Sequence, residues 1–183
     1  MTGLTYANQL TLLRMLLVPA FAILVWYEYL GWALIVFLVA GLTDALDGLI
    51  ARRAGQRTSL GAWLDPMADK ILVVTMFVML TMPGLGLANR LPLWLTVLVI
   101  SRDAAIVLTV AVFNLAVAQK TFRPTLLGKA ATAVYVATGV LALYANYLGR
   151  PMFIVDVAVY LSGALTLASG FHYLLIMTRR STT

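Results

Sequence analysis

Four aspartates are concentrated in one short, otherwise apolar part of this sequence. They are four of the seven acidic residues in the chain: Asp44, Asp47, Asp65 and Asp69. An Asp at the centre of a membrane helix costs about 2.5 to 3.5 kcal/mol on insertion scales, so four uncompensated carboxylates predict a cation among them. Oxygen donors without His or Cys are typical of sites for Mg²⁺, Mn²⁺ or Ca²⁺ rather than Zn²⁺.

The spacing of these aspartates predicts two carboxylate pairs on neighbouring helices. At about 100° per residue, Asp44 and Asp47 lie about 60° apart on one helix face, and Asp65 and Asp69 lie about 40° apart on another. A short polar loop joins the two helices, which makes them antiparallel neighbours. We therefore expect both pairs to converge near one boundary of the membrane.

Two small residues accompany the first carboxylate pair. Gly48 and Ala51 would allow a bulky ligand or another helix to approach the backbone closely. Helix packing through small residues is the alternative interpretation, and it is common in membranes. The neighbouring carboxylates and Arg52 favour the ligand site.

The composition indicates an integral membrane protein. Of the 183 residues, 62% are hydrophobic and 11% are charged, and the mean hydropathy is +0.96. Since a span needs about 20 apolar residues, the apolar runs predict six helices, at 10–28, 30–53, 60–82, 91–116, 125–147 and 152–177. We expect an all-α, polytopic fold with six transmembrane helices in a single domain over residues 1–183. The lack of cysteine excludes disulfides and thiol chemistry.

The basic residues predict the orientation in the membrane. With six spans both termini lie on one side, whose segments hold Arg52, Arg53, Arg57, Lys120, Arg123, Arg179 and Arg180, whereas the opposite loops hold Arg90 and Arg150. The positive-inside rule places the larger set in the cytoplasm, so both termini are expected inside. The net charge of +6 is explained in this way. No basic and aromatic cluster suggests a nucleic-acid partner.

Eight residues around the aspartates form a recognisable pattern. Asp44, Asp47, Gly48, Ala51, Arg52, Gly61, Asp65 and Asp69 read as D-x2-D-G-x2-A-R-x8-G-x3-D-x3-D. This resembles the complete signature of the CDP-alcohol phosphatidyltransferase family. Asn8, Thr11 and Arg14 resemble the N-terminal segment of its bacterial phosphatidylglycerophosphate and cardiolipin synthase branch. Six transmembrane helices also fit the family, so the resemblance covers nearly the whole chain.

The resemblance implies transfer of a phosphatidyl group from CDP-diacylglycerol to an alcohol, with release of CMP. It implies two Mg²⁺ or Mn²⁺ ions held by Asp44, Asp47, Asp65 and Asp69, with Asp69 also acting as the general base. It further implies a cytidine diphosphate site lined by Asn8, Asp47, Gly48, Ala51, Arg52 and Gly61. The active site would face the cytoplasm, at the inner membrane if the protein is bacterial, and related enzymes form homodimers.

Candidate acceptor residues are three cations in the second half of the chain. Arg102 lies next to Asp103 in the fourth apolar run, and Arg123 and Lys129 flank the start of the fifth. A buried cation that faces a helix bundle indicates function, and an acceptor phosphate would satisfy it. The alternatives are an ion pair of Arg102 that only closes the bundle, and ordinary cytoplasmic loop charge for the other two cations.

The identity of the acceptor stays open between two alcohols. Phosphatidylglycerophosphate synthases typically carry Arg-Glu followed by a second Arg, whereas this chain has Arg102-Asp103 and then Val110. The Arg-Asp pair and Lys129 resemble the cardiolipin synthases of this family, although Tyr135 stands where Gln is usual in both groups. Glycerol 3-phosphate and phosphatidylglycerol are therefore both candidates.

Other functions are compatible with some of these features. The same chemistry on inositol phosphate or serine is one alternative. A cation transporter is another, because intramembrane carboxylates also form ion pathways, but its sites would be expected near the bilayer midplane with an inverted repeat. An enzyme that transfers prenyl groups would also use Asp-rich helices with Mg²⁺, but with more helices and another spacing.

Overall fold

The structure is a computed structural model of the chain that describes residues 6–54, 59–116 and 126–180. Over these ranges the chain forms six α-helices and no β-strand: α1 (Tyr6–Trp26), α2 (Leu30–Ala54), α3 (Ser59–Thr81), α4 (Leu93–Ala116), α5 (Leu126–Tyr147) and α6 (Phe153–Arg180). The prediction of an all-α chain with six helices is confirmed. The largest difference in bounds is at α1, which begins at Tyr6 instead of residue 10.

A tight turn joins α1 to α2. Glu28 has a left-handed backbone conformation, with a φ of 60°, which is common where a helix ends. The N–H of Tyr29 donates to the carbonyl oxygen of Leu24 at 2.8 Å, which closes the last turn of α1. α2 then begins at Leu30, inside the break that the sequence predicts.

The chain divides into two compact units, and the first comprises Met1–Arg90 together with Ala142–Pro151. In this unit α1 packs against both α2 and α3. The rings of Phe21 and Phe37 are buried between α1 and α2, with their centroids 5.6 Å apart. The interior at this point is therefore aromatic and apolar.

The last turn of α5 and the residues after it complete the first unit. The N–H of Asn89 donates to Oδ1 of Asn146 at 2.6 Å, and Nδ2 of Asn146 donates back to the carbonyl oxygen of Asn89 at 3.1 Å. Nδ2 of Asn89 also donates to the carbonyl oxygen of Arg150 at 2.6 Å. Tyr147 covers the start of α2, where a methyl group on Gly31 would lie only 2.9 Å from Cε2 of the Tyr147 ring.

The second unit comprises Leu91–Leu141 and Met152–Thr183, and in it α4 packs against α6. The approach is close because Gly163 has no side chain. A methyl group at this position would lie 2.9 Å from Cζ3 of Trp94. Trp94 also packs against Tyr160, with ring centroids 6.1 Å apart.

Polar side chains join α5 to α6 in the second unit. Oγ1 of Thr138 and Oγ of Ser162 are 2.8 Å apart, and the hydroxyl oxygen of Tyr135 is 2.6 Å from Oγ1 of Thr166. Oγ of Ser169 donates to the carbonyl oxygen of Thr166 at 3.1 Å. All five side chains are buried. We call this set, Tyr135, Thr138, Ser162, Thr166 and Ser169, the hydroxyl ladder.

Within the described ranges, two helical stretches are long and apolar enough to cross a membrane. They are Leu126–Tyr147 and Phe153–Tyr173, each with a mean hydropathy of 1.6. Shorter apolar stretches lie at Leu12–Trp26, Leu30–Thr43 and Lys70–Thr81. Six spans, the orientation of the termini and a single domain over the whole chain stay predictions.

Candidate active site

The four motif aspartates lie on two helices of the same compact unit. Asp44 and Asp47 are in the second half of α2, Asp65 and Asp69 are in the first half of α3, and the two helices contact each other. Both pairs lie toward the ends of α2 and α3 that are joined through residues 55–58.

The donor set fits a divalent metal ion in its chemistry. Aspartates on two contacting helices supply only carboxylate oxygens, which Mg²⁺ and Mn²⁺ prefer. The four carboxylates themselves lie outside the side chains that the structure describes. Among the side chains that it does describe, no group of three acidic or histidine residues forms a metal site. Metal binding thus stays a prediction that rests on the donor set.

The residues predicted to line the cytidine diphosphate site come from three helices of this unit. Asn8 lies on α1; Gly48, Ala51 and Arg52 lie on α2; Gly61 lies on α3. Because α1 packs against both other helices, the fold brings the three segments into one unit. Their side chains are outside the described part, so their contacts with a nucleotide stay predictions.

Arg14 gains significance from its burial. Its side chain on α1 is fully inaccessible to solvent, and a buried guanidinium is stable only when acidic or other hydrogen-bonding groups surround it. The sequence identifies Arg14 only as part of the N-terminal resemblance. The signal for its burial is a charged residue in the middle of an apolar run.

Arg102 on α4 forms an ion pair with its neighbour, which is the alternative to acceptor binding that the sequence left open. Nη1 of Arg102 lies 2.6 Å from Oδ1 of Asp103, and the two side chains are only 11% and 21% exposed. Nε of Arg102 donates to Oγ of Ser169 on α6 at 3.2 Å. The guanidinium is thus held between an acid on its own helix and a hydroxyl group on the next.

Those two contacts occupy only part of the guanidinium. An Arg side chain carries five N–H donors, and the described hydrogen bonds of Arg102 engage one at Nε and one at Nη1. The hydrogen bonds between described residues leave the other three N–H groups unassigned. The carboxylate of Asp103 offsets the charge of the guanidinium at 2.6 Å.

The hydroxyl ladder continues from this pair into the interior of the second unit. Ser169 accepts from Arg102 and donates to the carbonyl oxygen of Thr166, whose hydroxyl group contacts Tyr135. Tyr135 stands out in the sequence only as a departure from the family pattern, and the sequence alone suggests no role for the α6 hydroxyls. Ser162, Thr166 and Ser169 recur at helical spacing, which is a usable signal for one polar helix face.

Lys129, another predicted acceptor residue, makes no described contact with Arg102. Lys129 lies on the first turn of α5 with an exposed side chain. No hydrogen bond or ion pair between described side chains connects it with Arg102. Arg123 lies outside the described residues. Acceptor binding by Arg102, Arg123 and Lys129 stays a prediction.

A sequence model of the CDP-alcohol phosphatidyltransferases matches residues 4–169. The chain belongs to the CDP-alcohol phosphatidyltransferase family. The match covers α1 to α5 and most of α6, including both the motif aspartates and Arg102. The predicted family membership is therefore confirmed, and with it a place among transferases of phospholipid synthesis.

Relatives of this family member carry two different names. It is 36% identical over 191 residues to human "Cardiolipin synthase (CMP-forming)", covering 92% of this chain and 60% of the human protein. It is 34% identical over 176 residues to a "Probable phosphatidylglycerophosphate synthase" of Mycobacterium tuberculosis, covering 91% of this chain and 78% of that protein. A Streptomyces coelicolor "Cardiolipin synthase (CMP-forming)" is 36% identical over 138 residues, covering 70% of this chain and 60% of that protein.

Proposed function

We propose that this protein transfers the phosphatidyl group of CDP-diacylglycerol to the hydroxyl group of a glycerol-type acceptor and releases CMP. The proposal rests on the family model, which matches residues 4–169 of this chain, a range that contains all eight positions of the aspartate motif. The oxygen of the acceptor attacks the phosphorus that bears the diacylglycerol. The bond from that phosphorus to the bridging oxygen breaks, and CMP leaves.

The motif aspartates divide the chemistry between them in this proposal. Asp44, Asp47 and Asp65 hold two Mg²⁺ or Mn²⁺ ions, and Asp69 both contacts a metal ion and takes the proton of the attacking hydroxyl group. Metal ions bound there would neutralise the diphosphate and the charge on the attacking and leaving oxygens. A carboxylate base for the hydroxyl proton contributes roughly 10²- to 10⁴-fold in rate.

The donor nucleotide binds beside these aspartates in the proposal. Asn8, Gly48, Ala51, Arg52 and Gly61 line the cytidine diphosphate site, and the small residues leave room for the ligand at the helix surfaces. The lipid chains of the donor remain in the bilayer. A polar site at the cytoplasmic boundary of a multi-pass protein therefore reaches the diphosphate without extracting the lipid. Homodimer formation is a further part of the proposal that rests on the family resemblance.

The contacts of Arg102 favour phosphatidylglycerol as the acceptor. Asp103 offsets the charge of Arg102 at 2.6 Å, and Ser169 contributes a hydroxyl group beside them. Such a pair suits the neutral glycerol headgroup, whose hydroxyl groups both donate and accept hydrogen bonds. A free phosphate monoester with two negative charges would need further cations. The name of the human relative is consistent with a product of cardiolipin.

Glycerol 3-phosphate is the second candidate. It is favoured by the name of the mycobacterial relative, of which this chain spans the larger share, 78%. Lys129, which is exposed at the start of α5, and Arg123 would then supply the additional positive charge. The same fold and the same aspartates would carry out the reaction, and only the acceptor pocket would differ.

The test is an assay of CMP release by the purified full-length protein in detergent. CDP-diacylglycerol and Mg²⁺ or Mn²⁺ are supplied, and phosphatidylglycerol, glycerol 3-phosphate, inositol phosphate and serine are offered separately. We expect release with phosphatidylglycerol, and mass spectrometry should identify cardiolipin. Release with glycerol 3-phosphate alone would establish the second candidate. No release with any acceptor or metal would overturn the proposal.

A matched pair of variants controls the assay. Asp69→Asn removes the proposed base, whereas Asp156→Asn removes an exposed carboxylate on the first turn of α6, far outside the motif. Only the first should lose activity. Equal losses would indicate a general effect of removing a negative charge.

A further inference from the structure

A pocket of about 620 Å³ lies within the first unit, at the opposite end of α2 from the motif aspartates. It is formed by the turn between α1 and α2, the first turns of α2 and the last turn of α5. Gly31 and Tyr147 meet at its wall, since the lack of a side chain at Gly31 lets the Tyr147 ring lie against the helix. Pockets that bind small molecules span roughly 300 to 1,000 Å³, so the volume is sufficient for a ligand.

The lining of this pocket combines aromatic rings with one carboxylate. Its aromatic residues are Tyr29, Trp32, Tyr144 and Tyr147. Glu28 is the only charged residue in the lining, so the pocket carries a single negative charge and no basic side chain. Aromatic faces together with a carboxylate attract a cation. The phenol O–H groups and the indole N–H can donate hydrogen bonds to an anionic oxygen of the same ligand.

Glu28 is held in place by the fold. Its backbone is fixed in the left-handed conformation of the turn, and its Oε1 accepts a hydrogen bond from the N–H of Gly86 at 2.8 Å. Gly86 itself is a close fit, since a methyl group there would lie 3.2 Å from Oε1 and 3.3 Å from Oε2. An ionised carboxylate can accept about four hydrogen bonds, so one backbone donor leaves most of its capacity for a ligand.

The surroundings of the pocket indicate a lipid instead of a soluble ligand. Tyr29, Trp32 and Tyr147 are more than half exposed, and exposed Trp and Tyr residues concentrate at the headgroup level of membranes. Leu34 and Ile35 continue the lining along α2 with apolar side chains. Acyl chains could follow that surface while a headgroup occupies the aromatic end.

We propose that this pocket binds a phospholipid whose headgroup carries a primary ammonium, as phosphatidylethanolamine does. The ammonium group donates to the Glu28 carboxylate between the aromatic rings, and the phosphate accepts from the Tyr and Trp donors. Phosphatidylcholine has a cation but no N–H to donate, so it binds less tightly. Phosphatidylglycerol has no cation and is disfavoured by the charge of Glu28. The site is independent of the proposed transfer reaction.

Binding can be measured with the purified full-length protein by native mass spectrometry, with phosphatidylethanolamine, phosphatidylcholine and phosphatidylglycerol titrated separately. We expect the highest affinity for phosphatidylethanolamine. Glu28→Gln keeps the size and an acceptor for the Gly86 N–H but removes the charge, and it should weaken that affinity by about tenfold or more. Asp156→Asn, which removes an exposed carboxylate outside the pocket, should bind as the unmodified protein does.

A second measurement needs no variant and therefore does not depend on whether Glu28→Gln folds. Phosphatidylethanolamine with a photoreactive group near the headgroup should label peptides that contain residues 28–35 or 144–147. Labelling confined to other segments would overturn the proposal. So would equal affinities for the three lipids, or an unchanged affinity in a folded Glu28→Gln variant.

Discussion

At the level of Phe21, α1 packs against α2 through apolar rings, whereas hydroxyl groups join α5 to α6. Phe21 and Phe37 meet in the first interface, and no polar side chain is needed between them. In the second, Thr138 meets Ser162 and Tyr135 meets Thr166. Ring packing therefore dominates the described contacts of the first interface, and hydrogen bonds between hydroxyl groups dominate those of the second.

The difference follows from what each unit has to hold. Helices in a membrane gain nothing from the hydrophobic effect, because lipid is as apolar as Leu, and they associate through packing and hydrogen bonds. A partly buried Arg102 requires polar partners, and the hydroxyl ladder supplies one of them through Ser169. The hydroxyl groups between α5 and α6 therefore help to hold a charged side chain, whereas Phe21 and Phe37 contact each other only through their rings.

The largest effect is expected for Asp69→Asn, which tests the proposed chemistry of the first unit. We expect CMP release to fall by roughly 10²- to 10⁴-fold, because the proposed base is removed, while binding of CDP-diacylglycerol is largely preserved. Asp44→Asn should weaken both, since it removes a proposed metal ligand. Turnover and donor affinity are measured on the same preparations. Normal turnover by purified Asp69→Asn would refute its assignment as the base.

The packing of the first interface is tested by Phe21→Ala. Removing a buried ring costs about 3 to 5 kcal/mol in protein cores, so we expect a large loss of stability on unfolding from detergent micelles. Leu16→Ala on the same helix is the control, because that side chain is 69% exposed. Equal effects of the two changes would show that α1 and α2 are not held by the buried rings.

The role of Arg102 is tested by Arg102→Gln. Hydrogen bonds to charged groups contribute about 1.5 to 3 kcal/mol, so the KM for the acceptor should rise by roughly 10- to 100-fold. The KM for CDP-diacylglycerol should change little. Ser169→Ala, which leaves the charge but removes one contact of the guanidinium, should have a smaller effect of the same kind. An unchanged acceptor KM in Arg102→Gln would leave the ion pair a purely structural role.

The smallest effect is expected within the hydroxyl ladder. Thr138→Val removes the hydroxyl group that contacts Ser162 at 2.8 Å, and hydrogen bonds between membrane helices are worth about 0.6 kcal/mol on average. A double-mutant cycle with Ser162→Ala should return a coupling energy of that order. A coupling as large as the effect of Phe21→Ala would mean that the two interfaces do not differ in the way described.

The helices of this chain could be predicted from the sequence because apolar runs of about 20 residues are compatible with few structures besides a helix. The helix α1 includes four residues before the apolar run that predicts it, because polarity marks where an apolar run ends, whereas the helix also contains Tyr6 to Gln9 at its polar end. The positions of the motif aspartates on α2 and α3 were predicted from the same runs. Their fixed spacing made the family recognisable.

The hydroxyl ladder and the pocket beside Glu28 could not be predicted in this way. Ser and Thr residues in an apolar helix show a spacing, but the side chain that each one meets depends on the rotation of a neighbouring helix. The pocket joins the start of α2 to the end of α5, which are far apart in the chain. Contacts between segments that are far apart in the chain depend on how the helices pack, and they produce no local sequence pattern.

The return of the chain to its first unit has a consequence for the order of events during synthesis. Asn89 is bonded to Asn146, which follows it by 57 residues, and Tyr147 covers Gly31 from the same late segment. At about 5 to 20 residues per second, the ribosome needs about 3 to 11 s to make the second asparagine after the first. The first unit therefore stays incomplete after α1, α2 and α3 have been made, until α4 and most of α5 have been made as well. A chain truncated after α4 should be a substrate for quality-control proteases, although it carries every aspartate of the motif.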